Sequence, residues 1–198
     1  MKYKTVVIDP PWNINGLTGE APMIKGNRKP IYRDTASRID YKLIPNDTIL
    51  DFDIEQWADD ECYMFLWVTN GKSEKKPVIQ IGLELLEKWG FTYHSIITWF
   101  KHQGMAFRSP IRTASEHCLF AYRGGLKHQT YQMDSVIETS YQIKASQKPA
   151  RFYQLLRAWT PEPRIDIFAR NAHEGFDGWG DEYVGEGALA PYLKEKMK

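Results

Sequence analysis

The chain has 198 residues, a formal net charge of +1 at neutral pH and 42% hydrophobic residues. That length suits one domain with a proper core, so residues 1–198 are read as a single domain. The near-neutral balance excludes attraction to nucleic acid by an overall field, and any such contact has to come from local patches. The N-terminus passes straight into a strand without a signal peptide, and no apolar stretch approaches membrane-spanning length. The expectation is a soluble, cytoplasmic protein with no membrane partner.

Taken in chain order, residues 3–9 read as a strand, followed by a loop rich in Gly, Pro, Asn and basic residues to about 50. Glu61 to Thr69 is a continuous apolar run, as in a strand buried on both faces. Pro77 to Trp89 carries Val78, Ile81, Leu85, Leu86 and Trp89 at helical spacing, opened by Pro77 and closed by Gly90. Phe91–Phe100 and His117–Tyr122 read as strands, and Pro149–Trp159 as a second helix with Phe152, Leu155, Leu156 and Trp159 on one face. Arg164–Arg170 is a last clear strand, and Gly185–Lys198 reads as a loop with a short basic helix. Strands alternating with helices predict an α/β fold: a mostly parallel central sheet with helices on both faces. Cys62 and Cys118 lie inside apolar runs and read as buried reduced thiols, and no Cys/His cluster suggests a metal. Aromatics make up 14% of the chain, which serves core packing and, at a few positions, stacking surfaces for bases.

The first strand ends in Asp9-Pro10-Pro11-Trp12. Each proline fixes φ and lacks an N–H, so Asp9 sits at the head of a rigid loop. In the plainer reading this is a stiff turn with an exposed acid. In the sharper one, the Asp9 carboxylate and the Pro10 carbonyl are two acceptors for a planar amine such as that of adenine. Trp12 either offers a face to the base or packs the loop. Parallel sheets place ligands at the carboxyl ends of their strands. Asp9, Thr69-Asn70-Gly71 and Arg170-Asn171 all follow such ends.

These segments resemble the DPPW-type S-adenosylmethionine-dependent N6-adenine methyltransferases. That family includes the catalytic subunit of the eukaryotic mRNA adenosine methyltransferase and bacterial and phage DNA adenine methyltransferases. The matching pieces run in order: Val7–Trp12, Phe65–Thr69, Ile96–Lys101, Glu116–Leu119, Ser146–Pro149, Ile167–Arg170 and Gly178–Glu182. The resemblance implies a Rossmann-like fold with a permuted motif order, the catalytic segment first and the main cofactor segment last. Tyr183-Val184 is then the expected remaining cofactor-side strand.

The resemblance also implies residue roles. Asp9, Pro10, Pro11 and Trp12 correspond to the catalytic loop, with Asp9 close to the cofactor. Lys148, Arg170, Asn171, Asp181 and Glu182 fall on cofactor-binding positions, although Asp181 stands where the family has Asn. The plainer readings are a turn-capping surface lysine for Lys148 and a strand-end salt bridge for Arg170. Tyr41 lies near a loop tyrosine that relatives place beside the substrate. S-adenosyl-L-methionine is the implied cofactor, and no metal is required.

Two segments are locally basic. Residues 13–42 carry Lys25, Arg28, Lys29, Arg33, Arg38 and Lys42. The second segment carries Lys101, Arg108, Arg112, Arg123 and Lys127, and its candidate recognition loop is 102–115. Basic loops beside a methyl-transfer site suit a phosphate backbone, while the plainer reading is solvated surface charge. Trp12, Tyr41, Lys101, Arg108 and Arg112 are the substrate-side candidates. The leading expectation is an adenine-specific DNA methyltransferase of restriction-modification type. The alternatives are an RNA adenine methyltransferase and a non-catalytic nucleic-acid-binding partner subunit. Homodimeric and heterodimeric assembly both remain open.

Overall fold

The structure is a computed structural model and describes residues 2–14, 46–73, 75–105, 111, 113–125, 132–139, 147–180 and 183. Tyr41, Arg108, Arg112, Asp181, Glu182, nearly all of the 13–42 segment and the Gly185–Lys198 tail lie outside the described residues.

The strands are β1 (Tyr3–Ile8), β2 (Ala58–Val68), β3 (Lys72–Ser73), β4 (Lys76–Pro77), β5 (Thr92–Met105), β6 (Thr113–Arg123), β7 (Val136–Thr139), β8 (Arg164–Ile167) and β9 (Asp177–Trp179). The helices are α1 (Asn46–Leu50), α2 (Val78–Lys88) and α3 (Ala150–Trp159). Seven strands form one sheet in the order β7-β5-β6-β2-β1-β8-β9, and β3 and β4 pair separately. β1 runs parallel to both β2 and β8, β8 to β9, and β5 to β7. β6 alone is reversed, antiparallel to both β2 and β5. The mostly parallel sheet expected from the sequence is therefore present, with one reversed strand in its middle. The chain leaves β1 to one side for β2 and returns on the other side as β8. The tip of β1 thus lies where the two halves of the sheet meet, as ligand-binding edges of such sheets do.

Side chains alternate across each strand, and that alternation divides the core. Val6, Ile8, Met64, Leu66, Leu119, Ile165 and Ile167 face α2 through Val78, Ile81, Leu85 and Leu86. Val7, Tyr63, Phe65, Trp67 and Phe120 face α3 through Phe152, Tyr153 and Leu156. The uninterrupted apolar run of β2 is explained by this double coverage. α2 ends as its sequence predicts. Gly90 adopts φ +71°, its N–H bonds the Glu87 carbonyl at 3.0 Å, and Phe91 N–H bonds the Leu86 carbonyl at 2.9 Å. These paired bonds satisfy carbonyls that the last turn would otherwise leave orphaned.

Two strand expectations change. The last clear strand stops at Ile167, because Phe168 takes φ 65° and turns the chain out of the sheet. The cofactor-side edge strand is Asp177–Trp179, whereas Tyr183 lies outside any strand. The ring of Tyr183 packs directly over Gly178, where a Cβ would come within 2.0 Å of it. Cys62 and Cys118 are both buried and unbridged. Among the described residues no helix is long and apolar enough to cross a membrane.

Phe65 is fully buried, stacked on Phe120 at 5.0 Å and edge-on to Phe152 at 6.0 Å. Phe65→Ala should lower stability by about 3–5 kcal/mol. Leu83→Ala, at a 41% exposed position, should cost about 0.5 kcal/mol or less. Denaturant unfolding of the two variants measures the contrast.

Candidate active site at the tip of the first strand

Asp9 N–H makes the last rung of β1, to the Ile167 carbonyl at 3.3 Å. Pro10 and Pro11 have no N–H to continue the ladder, so the chain leaves the sheet there. Trp12 N–H then bonds back to the Pro10 carbonyl at 2.8 Å, closing a tight turn around Pro11. That carbonyl is not fully open, as the sequence alone suggests: it already accepts one bond from its own loop and offers a second lone pair. Trp12 is 5% exposed and belongs to the core on the α2 side. Its indole N–H donates to the Trp67 carbonyl at 3.0 Å, which ties the loop to the end of β2. Of the two readings of Trp12, the geometry matches loop packing; the buried ring presents no open face for a base.

Lys148, two residues before α3, projects its ammonium onto Asp9 Oδ2 at 2.8 Å and onto Glu116 Oε2 at 3.2 Å. It is 8% exposed, which removes the surface-lysine reading. The ammonium also lies 5.1 Å from the centre of the Trp67 ring. Glu116 in turn pairs with Lys101, whose ammonium sits 4.1 Å above the Trp99 ring. Glu116 is near the start of β6. Because β6 runs backwards, its beginning lies at the same sheet edge as the ends of β1, β2 and β5. The result is a line of alternating charges: Asp9, Lys148, Glu116, Lys101. Burial pushes the Asp9 carboxyl above the ordinary carboxylate range, and Lys148 pulls it back. Burial alone would depress Lys148, but Asp9 and Glu116 together raise it, so the ammonium stays charged. Burial would raise Glu116 too, yet Lys148 and Lys101 hold it below its usual value.

A solvent-open cleft of about 290 Å³ adjoins this line. Asp9, Lys148, Arg170 and Asn171, four candidates from the sequence that lie far apart in the chain, border it together. Tyr153, Asp166 and His173 border it as well and are not among the residues the sequence singles out. Their signal is a polar residue at an apolar position: Asp166 interrupts Ile165 and Ile167, and Tyr153 follows Phe152. Glu116 stands out in the sequence only as part of a matching segment. Asp166 receives the Tyr153 hydroxyl at 2.8 Å on Oδ2, and burial pushes its carboxyl up to about 8. At the cleft's rim the chain is compressed, since a Cβ on Gly180 would come within 2.2 Å of the Ala169 carbonyl oxygen.

The basic second segment is also revised. Arg123 lies at the opposite sheet edge, where its guanidinium binds the Ala58 and Asp59 carbonyls and pairs with Glu55. Lys101 spends its charge on Glu116. His117, bonded to Thr98 at 3.1 Å, is pushed below its ordinary value by burial. Among the described residues no His, Cys, Asp and Glu cluster is arranged to hold a metal.

The profile of the MT-A70 family matches residues 3–182. The chain is 25% identical over 190 residues to the type II methyltransferase M.MunI of a Mycoplasma species, covering 91% of this chain and 78% of that protein. It is 24% identical over 209 residues to the human N(6)-adenosine-methyltransferase catalytic subunit METTL3, covering all of this chain and 31% of that protein. An Arabidopsis thaliana protein named as the non-catalytic subunit MTB is 26% identical over 65% of the chain, which spans 15% of it. The chain therefore spans most of the bacterial relative and less than a third of these two eukaryotic ones. It belongs to the MT-A70 family of S-adenosylmethionine-dependent N6-adenine methyltransferases.

Proposed function

We propose that this chain transfers a methyl group from S-adenosylmethionine to the exocyclic amine of adenine in DNA. The observation that carries the reading is the Asp9 carboxylate, fixed at the tip of β1 by Lys148 yet 21% exposed toward the cleft. The residues around it fit a cofactor with an amino-acid end. The cleft offers both signs of charge, in Asp9 and Asp166 against Lys148 and Arg170, and Asp166 Oδ1 is a buried acceptor without a donor among the described residues. Lys148, Arg170 and Asn171 are the described residues that would hold it, with Asp181 and Glu182 proposed beside them. When bound, S-adenosylmethionine supplies a methyl group already activated by a sulfonium.

The remaining chemistry belongs to the chain. An adenine amine is a poor nucleophile, because its lone pair is delocalised into the ring. Lys148 engages Asp9 Oδ2, which leaves Oδ1 to accept one amine hydrogen. The second lone pair of the Pro10 carbonyl is placed to accept the other. Two acceptors favour pyramidal nitrogen and stabilise the positive charge that develops on it. A preorganised dipole of this kind is worth about 3 kcal/mol, and positioning in line supplies about 7–11 kcal/mol. Asp9 takes the proton after transfer, so it need not be a strong base. A duplex substrate would require the target base to be turned out of the stack.

DNA is favoured by coverage. The match to the type II methyltransferase M.MunI takes in most of that protein, whereas METTL3 carries more than twice this chain's length beyond the match. The intact Asp9-Pro10-Pro11-Trp12 speaks against a non-catalytic partner role, since such a subunit needs neither the acid nor the prolines. Labelled methyl transfer to DNA and RNA side by side, followed by digestion to nucleosides, tests the assignment. Methyladenine in DNA is expected, and methyladenosine confined to RNA would overturn it.

Asp9→Ala should leave the melting temperature within a few degrees and lower methyl incorporation at least about a hundredfold. Lys148→Ala strips the cation from two carboxylates and should cost about 3–5 kcal/mol at neutral pH. In that variant both carboxyls titrate higher folded than unfolded, so the folded chain binds the extra protons. The deficit should therefore be largest near pH 7 and shrink as pH falls toward 5. Thermal unfolding of wild type and variant at the two pH values measures it.

A further inference from the structure

The methyl-transfer chemistry leaves one acid of the cleft without a task. Asp166 sits on β8 beside Val7 of β1, on the sheet face covered by α3. Its side chain is 4% exposed. The Tyr153 hydroxyl donates to Oδ2, but Oδ1 is buried with no hydrogen-bond partner among the described residues. A buried acceptor left unmade is costly, and a buried carboxylate without a cation more so. The neighbouring imidazole does not supply one. His173 Nε2 is 3.8 Å from Oδ2, its ring lies flat on Tyr153 at 3.4 Å, and burial pushes it down to about 4, so it is neutral. Lys148 is already shared between Asp9 and Glu116.

We infer that Asp166 Oδ1 receives the α-ammonium of the cofactor's amino-acid end. This rests on the S-adenosylmethionine reading above and adds a binding residue to it. An ammonium brings both what the atom lacks, an N–H donor, and what the carboxylate lacks, a positive charge. A ribose hydroxyl would bring only the donor, and the sulfonium has no N–H. The cofactor's own carboxylate is repelled by Asp166, and Arg170 borders the same cleft with the sign that suits it. The groups that face Asp166 are Tyr153, His173, Asp9 and Lys148. With its carboxyl pushed up to about 8, Asp166 is largely protonated at pH 7, and seating an ammonium against it releases that proton.

The test is calorimetry of the full chain with S-adenosylhomocysteine and with its desamino analogue, which lacks only the ammonium. Wild type should bind the analogue about tenfold more weakly or worse. Asp166→Asn keeps an acceptor for Tyr153 but no charge, and should bind the two within about twofold of each other. Titration at pH 7 in buffers of different ionisation enthalpy should show proton release with S-adenosylhomocysteine and none with the analogue. Equal binding of both ligands by wild type, no proton release, or undiminished discrimination in Asp166→Asn each overturns the assignment alone. Failure of wild type to bind S-adenosylhomocysteine at all removes the methyl-donor reading and this assignment with it. The wild-type measurements decide the matter even if the variant does not fold.

Discussion

The contact on which the rest depends is the buried ammonium of Lys148 held between Asp9 and Glu116. Moving an ion from water into a protein interior costs several kcal/mol, and only close partners of opposite sign offset it. Three segments far apart in the chain must therefore converge: the tip of β1, the start of β6 and the residues leading into α3. Removing any one member strands a charge. With Lys101 added, two cations and two anions cancel, so the edge of the sheet is neutral as a group although each member is charged. The flat faces of Trp67 and Trp99 beneath the two ammonium groups add attraction without adding a countercharge.

This arrangement is possible because of one reversed strand. In an all-parallel sheet the start of β6 would lie at the far edge from Asp9. Running antiparallel between β2 and β5, it delivers Glu116 to the edge where β1 ends and takes Arg123 to the other. Two charged residues seven positions apart in the same strand thus acquire unrelated tasks. Glu116 joins the site, whereas Arg123 binds carbonyls of the segment that begins β2.

Much of this is legible from residue order alone. The doubly apolar β2, the Pro77 and Gly90 bounds of α2 and the breaking of β1 at Pro10 are local effects, and local chemistry writes them plainly. Asp9, Lys148, Arg170 and Asn171 stand out because each follows or precedes a recognisable element, and the cleft gathers them. What stays hidden depends on strand direction and facing. Glu116 cannot be placed without knowing that β6 is reversed. Asp166 cannot be separated from a surface acid without knowing that α3 covers its face. Trp12 looks open because its partner, the Trp67 carbonyl, is 55 residues away. β7 and β9 are short and carry few apolar residues, so periodicity over them is too brief to read.

The end of β8 shows how packing is used to hold an unfavourable backbone in a favourable place. A non-glycine residue in the left-handed region costs about 1–2 kcal/mol. Phe168 is in that region, immediately before the segment that carries Arg170 and Asn171 into the cleft. Glycine would adopt the same turn without strain, but it would lose the ring. That ring packs on Trp179 at 5.4 Å and on Phe52 at 5.8 Å, joining β8 to β9 and to the segment before β2. Aromatic pairs of this geometry contribute about 0.5–1.5 kcal/mol each beyond burial, enough to offset the strain. The turn is consequently fixed by the core beneath it, and the orientation of the Arg170 segment is inherited from hydrophobic packing on the face opposite Asp166.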